Sequence, residues 1–407
     1  MSAPTQIAAT HRVAPAPAVC ADAARRCSML EIHDHLEDVR DEWRDLESRC
    51  PASPYQAYDW QHAYAAHALG PRDTVRVAVV RDAVDARPLM LLALVVRARG
   101  AMTIGTTIGG KHANFHMALA CSQGEKRLSP DATRAHLSEI GRRLRLDAFH
   151  FRNLPVTWRG EANPLALPGA RPSPSDAFAT SFGDLPADAP AVRLSASTRK
   201  KLRRKSEWLA EIGPVGFDRA TTAREADAMI EAFLALKARR MRDLGLDDPF
   251  ADAGAQAFLR AAAQPGADGR APVSLWRLTC GERAVAVFGA ACDGRRASGM
   301  ITAFDTAPEI ARCSPGDLLM LRVIEDLRRA GYEGFDLGVG EARYKSQFCE
   351  TVEPLVDVTI PVSAAGRAYA CLAASAGTLK RWAKTTQPVA AAISRGRRLA
   401  ASVTRPG

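Results

Sequence analysis

The chain has 407 residues, enough for two ordinary domains, and its 47% hydrophobic and 25% charged residues fit a globular protein with its own core. No run of 18 apolar residues occurs, which excludes a spanning helix, and the nine cysteines form no CxxC pair and are odd in number, which argues for reduced thiols over a disulfide framework or zinc ribbon. The formal charge of +10 gathers at the end: no Asp or Glu follows Asp357, while eight Lys and Arg fall from Arg367 onward, so the body is near neutral and no nucleic-acid partner is expected.

Residues 1–28 are Ala- and Pro-rich and lack the charged start and apolar stretch of a signal peptide, so a disordered leader on a cytoplasmic protein is expected. The spacing of Ile32, Leu36, Val39, Trp43 and Leu46 predicts a helix over 31–47. In SPYQAYDWQHAYAAHAL a loop leads into a helix beginning near Asp59. Residues 75–81 and 89–99 read as strands, the second apolar almost throughout and therefore central. A capped helix over 129–145 and a strand over 148–154 follow. Residues 158–190 are rich in Pro, Gly, Ser and Ala and read as a linker or long surface connection.

A second unit begins with LSASTRKKLRRKSEWLAEIG, a helix capped at Ser195 or Ser197. Six of the seven residues from Arg199 to Lys205 are basic, which suits a solvated face or an anionic ligand; no aromatic residues interleave as single-stranded nucleic acid would require. Helices over 223–244 and 252–263 precede strands over 273–279, 284–292 and 297–304, whose turns Cys280-Gly281-Glu282 and Asp293-Gly294-Arg295 predict an antiparallel meander. SPDATRAHLSEIGRRLRLDAFHF and SPGDLLMLRVIEDLRRAGYEGFDL share one pattern, Ser-Pro, an acid, a helix and a short strand with Phe, and imply two copies of one mixed α/β unit.

The second copy carries the chemistry. Ser314 reads as an N-cap, Pro315 suits the first turn, and Asp317 completes a capping box. Gly316 allows close approach to a helix start whose free N–H groups favour an anion, and Arg312 lies just upstream; Asp317 would repel that anion unless its side chain turns back to cap. The same residues also read as a plain capped helix packing Leu318, Leu321, Ile324 and Leu327. Beyond it, FDLGVGEARYKSQF bends at Gly338 and Gly340 and gathers Glu341, Arg343, Tyr344 and Lys345 at a strand's C-terminal end, where α/β sheets place ligands. His112 and His116 lack a third ligand at a recognisable spacing, so no metal is expected, and their loop instead suits contact with a substrate. Residues 366–407 read as basic amphipathic helices broken at Pro388, docking either to the body or to an anionic membrane surface or acidic partner.

The runs SPGDLL and RRAGYEGFDLGVGEARYKSQF, with SPYQAYDWQHAY, RKKLRRKSEWLAEIGPVGF and RRMRDLGLDDPF, resemble the GNAT acyltransferase superfamily, and within it the BioF2-like/CelD branch found with cellulose and exopolysaccharide biosynthesis; the likeness covers about 30–362. It implies a mixed α/β fold of tandem GNAT-like units, each a mixed central sheet flanked by helices. The divisions are 1–28 leader, 29–185 N-terminal unit, 186–365 C-terminal acyltransferase unit and 366–407 tail. It further implies acyl-CoA, such as acetyl-CoA, as donor and an amine or hydroxyl of a small molecule or saccharide precursor as acceptor. Thr302 would line the pantetheine arm and Arg312, Ser314, Gly316, Asp317 and Leu318 the pyrophosphate, although the superfamily's usual Arg/Gln-x-x-Gly-x-Gly/Ala loop is absent. Glu341 or Asp336 would be the base, Tyr344 the acid for the leaving thiolate, and Lys345 would bind anionic charge; Trp60, His116 and Lys237 would face the acceptor. The related Fem-type transferases carry two such units and imply aminoacyl-tRNA as an alternative donor, and a degenerate scaffold in a polysaccharide assembly is the non-enzymatic alternative. Placement in the cytoplasm, peripherally at the inner membrane surface, follows from the same reading.

Overall fold

The computed structural model describes residues 28–120, 128–183, 191–266, 268–340 and 345–385. The leader up to residue 27, the Glu341 and Tyr344 candidates and the tail beyond residue 385 lie outside the described residues.

The strands in chain order are β1 (Ser28–His33), β2 (Asp73–Asp82), β3 (Pro88–Arg99), β4 (Met102–Thr107), β5 (Leu119–Ala120), β6 (Ala148–Pro155), β7 (Thr157–Trp158), β8 (Glu161–Ala162), β9 (Arg171–Pro172), β10 (Ala177–Ser181), β11 (Val215–Arg219), β12 (Val273–Cys280), β13 (Arg283–Cys292), β14 (Arg296–Phe304), β15 (Gly334–Val339), β16 (Thr351–Glu353) and β17 (Leu355–Pro361). They build two mixed sheets, one ordered β1-β2-β3-β4-β6-β17-β9 with β5 beside β3, the other β11-β12-β13-β14-β15-β10-β16; β7 and β8 form a separate hairpin. The inner strands β3 and β13 are buried on both faces, which is why their sequences are apolar almost throughout.

The internal repeat is a repeat of topology. In the first sheet the Pro130–Arg143 helix connects β4 to a parallel β6, pairing Ile104 with Ala148; in the second the Pro315–Arg329 helix connects β14 to a parallel β15, pairing Arg296 with Gly334. The units then exchange strands. β10, which precedes the second unit, pairs antiparallel with β15, and β17, at the end of the second unit, pairs antiparallel with β6. The Pro- and Gly-rich stretch expected to be a linker therefore contains β7 to β10.

One difference lies at the start. Where the spacing predicts a helix from residue 31, Ser28–His33 is a strand, with Leu30 opposite Val80 and Ile32 opposite Ala78. Leu30 and Ile32 also satisfy a period of two, and the open edge of β2 takes them; the helix begins only at Arg40. Its buried Trp43 and Leu46 enter a core that both units share. Into that core the first unit sends Trp60 and Phe115, and the second sends Phe233 and Phe258, with Phe258 edge-on to Trp60 at 5.1 Å. Separate clusters lie beneath the Pro130–Arg143 and Pro315–Arg329 helices on the outer faces.

Among the described cysteines Cys50 is disulfide-bonded, against the expectation of reduced thiols, whereas Cys280, Cys292, Cys313, Cys349 and Cys371 are free. Among the described residues no helix is long and apolar enough to cross a membrane, and no cluster of His, Cys, Asp and Glu is placed to hold a metal.

Candidate active site

β14 and β15 pair only through Arg296–Gly334, Ala297–Phe335 and Ser298–Asp336. β15 continues against β10, while among the described strands β14 runs on to Phe304 paired with β13 alone. Where they part, β14 bulges: Ala290 faces Gly299 and Gly289 faces Ile301, leaving Met300 as the extra residue. A cleft follows, with the backbone edge of β14, unpaired among the described residues, as one wall.

The vertex of the cleft is polar and is built by both units. Asp336 is fully buried; its carboxylate accepts from Arg296 Nε (2.8 Å), Ser298 Oγ (2.7 Å) and the Gly338 N–H (2.9 Å). Arg296 also donates to both oxygens of Glu353 (2.9 and 2.6 Å), and its guanidinium lies 4.4 Å from the Trp158 ring centroid. Burial works against the Arg296 charge, but Asp336 and Glu353 outweigh it and raise the pKa. Burial likewise pushes the Asp336 carboxyl up, against the pull of Arg296. From the first unit, the Tyr55 hydroxyl donates to Ser298 Oγ (3.0 Å), and Asn114 Nδ2 donates to Tyr55 Oη (2.6 Å) and to the Gly299 carbonyl (2.9 Å).

At the cleft's exit, Gly338 (φ +69°) and Gly340 (φ +97°) turn the chain off β15. Lys345 lies beneath that turn and donates to the carbonyls of Gly338 (3.1 Å) and Val339 (2.9 Å). Burial lowers its pKa to about 8.

At the far end of β14, a Cβ on Gly316 would stand 3.2 Å from the Phe304 ring, so the missing side chain is what lets the helix start abut the strand end. Ser314 departs from its expected role. Its backbone is left-handed (φ 49°, ψ 59°), its hydroxyl caps nothing, and it accepts instead from Lys205 Nζ. The capping box is therefore absent. Asp317 is half-buried; burial pushes its carboxyl up, with Lys205 and then Lys201 opposing. The basic run thus turns two of its lysines toward this helix start. Gly316 and Lys205 fit a phosphate here, whereas Asp317 fits one only with its charge held by Lys205.

The other candidates divide clearly. Thr302 lies on β14 opposite Phe288, within the stretch that β15 has left. Arg312 is exposed, and its N–H donates to the Pro308 carbonyl. Leu318 is buried, and its N–H is taken by the Ser314 carbonyl, so it packs and does not offer an amide to a ligand. Asp336 accepts from Arg296, Ser298 and Gly338, which makes it an anchor of the cleft. Trp60 has no exposed surface and stacks on Tyr64 at 5.5 Å, so it belongs to the shared core and not to an acceptor site. His116 is buried, bonded through Nδ1 to Thr107 Oγ1 (2.7 Å), and held neutral by burial with a pKa of about 4; it too is structural. Lys237 is half-buried, 6.0 Å from the Phe250 ring centroid, with its pKa lowered by burial. Tyr55, Asn114, Arg296, Ser298 and Glu353 are absent from the sequence-based candidates. Tyr55 had a signal in its place in SPYQAYDW, and Asn114 in the His112–His116 loop; the others acquire meaning from partners distant in sequence.

Residues 196–346 match the family model of the acetyltransferase (GNAT) domain. No curated protein matches the chain in sequence. In three dimensions it is similar to FemX, at TM-score 0.52 and 10% identity over 79% of this chain and 91% of that one. The C-terminal domain of a protein designated a lysylphosphatidylglycerol synthetase, from Agrobacterium fabrum, gives TM-score 0.50 and 14% identity over 84% and 97%. A conserved protein of unknown function from Bacteroides thetaiotaomicron gives TM-score 0.50 and 12% identity over 82% and 100%. The second unit thus matches a GNAT acetyltransferase domain, and the chain as a whole has the fold of two mixed α/β GNAT-like units in tandem.

Proposed function

We propose that the protein is an acyl-CoA-dependent acyltransferase that passes an acyl group, acetyl in the simplest case, to an amine or hydroxyl of a small molecule or saccharide precursor. The observation that carries this reading is the edge of β14 from Met300 to Phe304, which no described strand pairs, running from a polar vertex to the Gly316 helix start inside the residues that match the acetyltransferase domain. The β14 backbone would bond the amides of the donor arm, and Lys205 with the Gly316 amide would meet its phosphates. The acceptor's nitrogen or oxygen attacks the thioester carbon, the C–S bond breaks, a base takes the acceptor's proton and an acid returns one to the thiolate. Glu341 is proposed as that base, Tyr344 as the acid, and Lys345 as the group facing anionic charge. Positioning supplies about 7–11 kcal/mol of such a barrier and acid–base help about 10²–10⁴-fold, so a site holding the reactants still does most of the work. Membership of the BioF2-like/CelD branch, and with it a role in polysaccharide synthesis, is part of the proposal.

A second reading, transfer from aminoacyl-tRNA as the Fem-type resemblance implies, is supported by the fold likeness to FemX and by the exposed basic residues Lys200, Arg203 and Arg204. A scaffold without catalysis is the third. Calorimetry with acetyl-CoA, longer acyl-CoAs and charged tRNA separates them: acetyl-CoA is expected to bind, binding of tRNA alone would favour the second reading, and binding of none the third. Unchanged turnover after Tyr344→Ala and Lys345→Ala would sink the catalytic assignment.

The tail joins this proposal. The Ala364–Thr385 helix packs on β17 and β6; Arg381 bonds Asp176 (3.2 Å), and Lys384 bonds Ser175 Oγ (2.6 Å). Its opposite side presents Leu372 and Leu379, 70% and 62% exposed. We propose that residues 366–407, basic and free of acidic side chains, hold the protein at the cytoplasmic side of an anionic membrane. Deleting them is expected to end co-sedimentation with phosphatidylglycerol-containing vesicles while binding to neutral vesicles stays absent.

A further inference from the structure

Asn114 belongs to the first unit, yet its amide sits in the angle between β14 and β15. Nδ2 donates to the Gly299 carbonyl on β14 (2.9 Å), and Oδ1 accepts from the Val339 N–H on β15 (3.5 Å). One side chain thus takes the place of the ladder that the two strands give up beyond Ser298 and Asp336. It is held from the sides as well, by Tyr55 Oη (2.6 Å) and Ser298 Oγ (3.2 Å). Behind it there is no room, since a Cβ on Gly338 would fall 2.3 Å from Nδ2.

We infer that Asn114 is the floor of the donor's acyl pocket and limits the protein to short acyl chains. The inference rests on the acyl-CoA reading above. A donor lying along the open edge of β14 brings its thioester to the bulge at Met300, and Asn114 is the next group deeper in the cleft. A longer chain must displace an amide that has four polar partners and leave the Gly299 carbonyl and Val339 N–H buried against methylenes, which is costly. The floor is supplied by the unit that does not match the acetyltransferase domain, so the length limit is a property of the two units together.

The test is calorimetry of acetyl-, butyryl- and hexanoyl-CoA on the full chain. In the wild type affinity falls as the chain lengthens. Asn114→Ala is expected to raise the affinity for hexanoyl-CoA relative to acetyl-CoA by at least about tenfold, since even one methylene in an apolar pocket discriminates about 10- to 200-fold. Asn114→Ser, which keeps a hydroxyl for the strands, shifts the ratio the same way and serves if the Ala variant does not fold. Asn114→Gln, longer by a methylene, shifts it the opposite way. A framework role alone would weaken all three ligands together; ratios unchanged across the variants, with acetyl-CoA still bound, overturn the inference and leave the donor reading intact. A wild type that binds no acyl-CoA overturns both.

Discussion

Lys345 combines burial with a charge that chemistry would use. Its ammonium has two carbonyl partners, at Gly338 and Val339, and burial still pulls its pKa down to about 8. The folded state therefore disfavours the protonated form. Above the ordinary lysine value of about 10.5 the side chain is neutral folded or unfolded, and its contribution is fully present. As pH falls through about 8 the folded protein must bind a proton it holds poorly, and the contribution is lost. Urea unfolding should therefore show stability rising between about pH 8 and pH 10.5, and Lys345→Met should flatten that rise. Catalysis moves the other way. A step that needs the cation fades as pH passes about 8, so kcat is expected to fall there in the wild type and to persist to higher pH in Lys345→Arg, whose guanidinium stays charged. The loop's density of charge made Lys345 visible in the sequence. Asp336 was visible as an acid but not as an anchor, because Arg296, Ser298 and Glu353 lie far from it along the chain and close only in the fold.

At the scale of elements, what the sequence shows depends on whether the signal is local. The Pro130–Arg143 and Ala223–Leu244 helices carry side-chain caps at Ser129 and Thr222 and apolar residues at helical spacing, and both form where expected. The Pro315–Arg329 helix also forms, but its start does not follow the capping pattern, since a cap needs an extended backbone and Ser314 is left-handed. The Ala364–Thr385 helix shows what fixes an amphipathic element in place. Gly366 presses on the first unit so closely that a Cβ there would lie 1.7 Å from the Asp147 carbonyl oxygen, a backbone atom that cannot turn aside. Gly366→Ala should therefore lift the helix from β6 and β17 at a cost of about 1–3 kcal/mol. Hydrogen exchange is the measurement: protection is expected to drop across Ala364–Thr385 and to stay unchanged in β12 to β14, which the helix does not cover.

For the whole molecule, the two-unit organisation was legible through the repeated Ser-Pro helix starts, but the exchange of strands was not. β10 and β17 are short, and each pairs with a strand more than 150 residues away, a relation no local pattern encodes. The exchange changes what a unit is. A division at 185/186 leaves β10 on the far side from β15 and β16, which flank it in the sheet, and strands β17 away from β6. It also cuts the core in which Trp60 and Phe115 meet Phe233 and Phe258. Fragment 29–185 would expose β6 as an edge, and fragment 186–365 would expose β15, each beside an uncovered apolar face. Neither fragment is expected to fold when expressed alone, whereas the two expressed together should recover a soluble complex, because each supplies the other's missing strand. The intact chain should unfold in one transition, with tryptophan fluorescence, which reports Trp60 in the shared core and Trp276 beneath the second sheet, coinciding with far-ultraviolet circular dichroism. A fragment 186–365 that folded alone and bound acyl-CoA would mean that the second unit needs neither β10 nor Asn114, and that the site is the property of one unit and not of the pair.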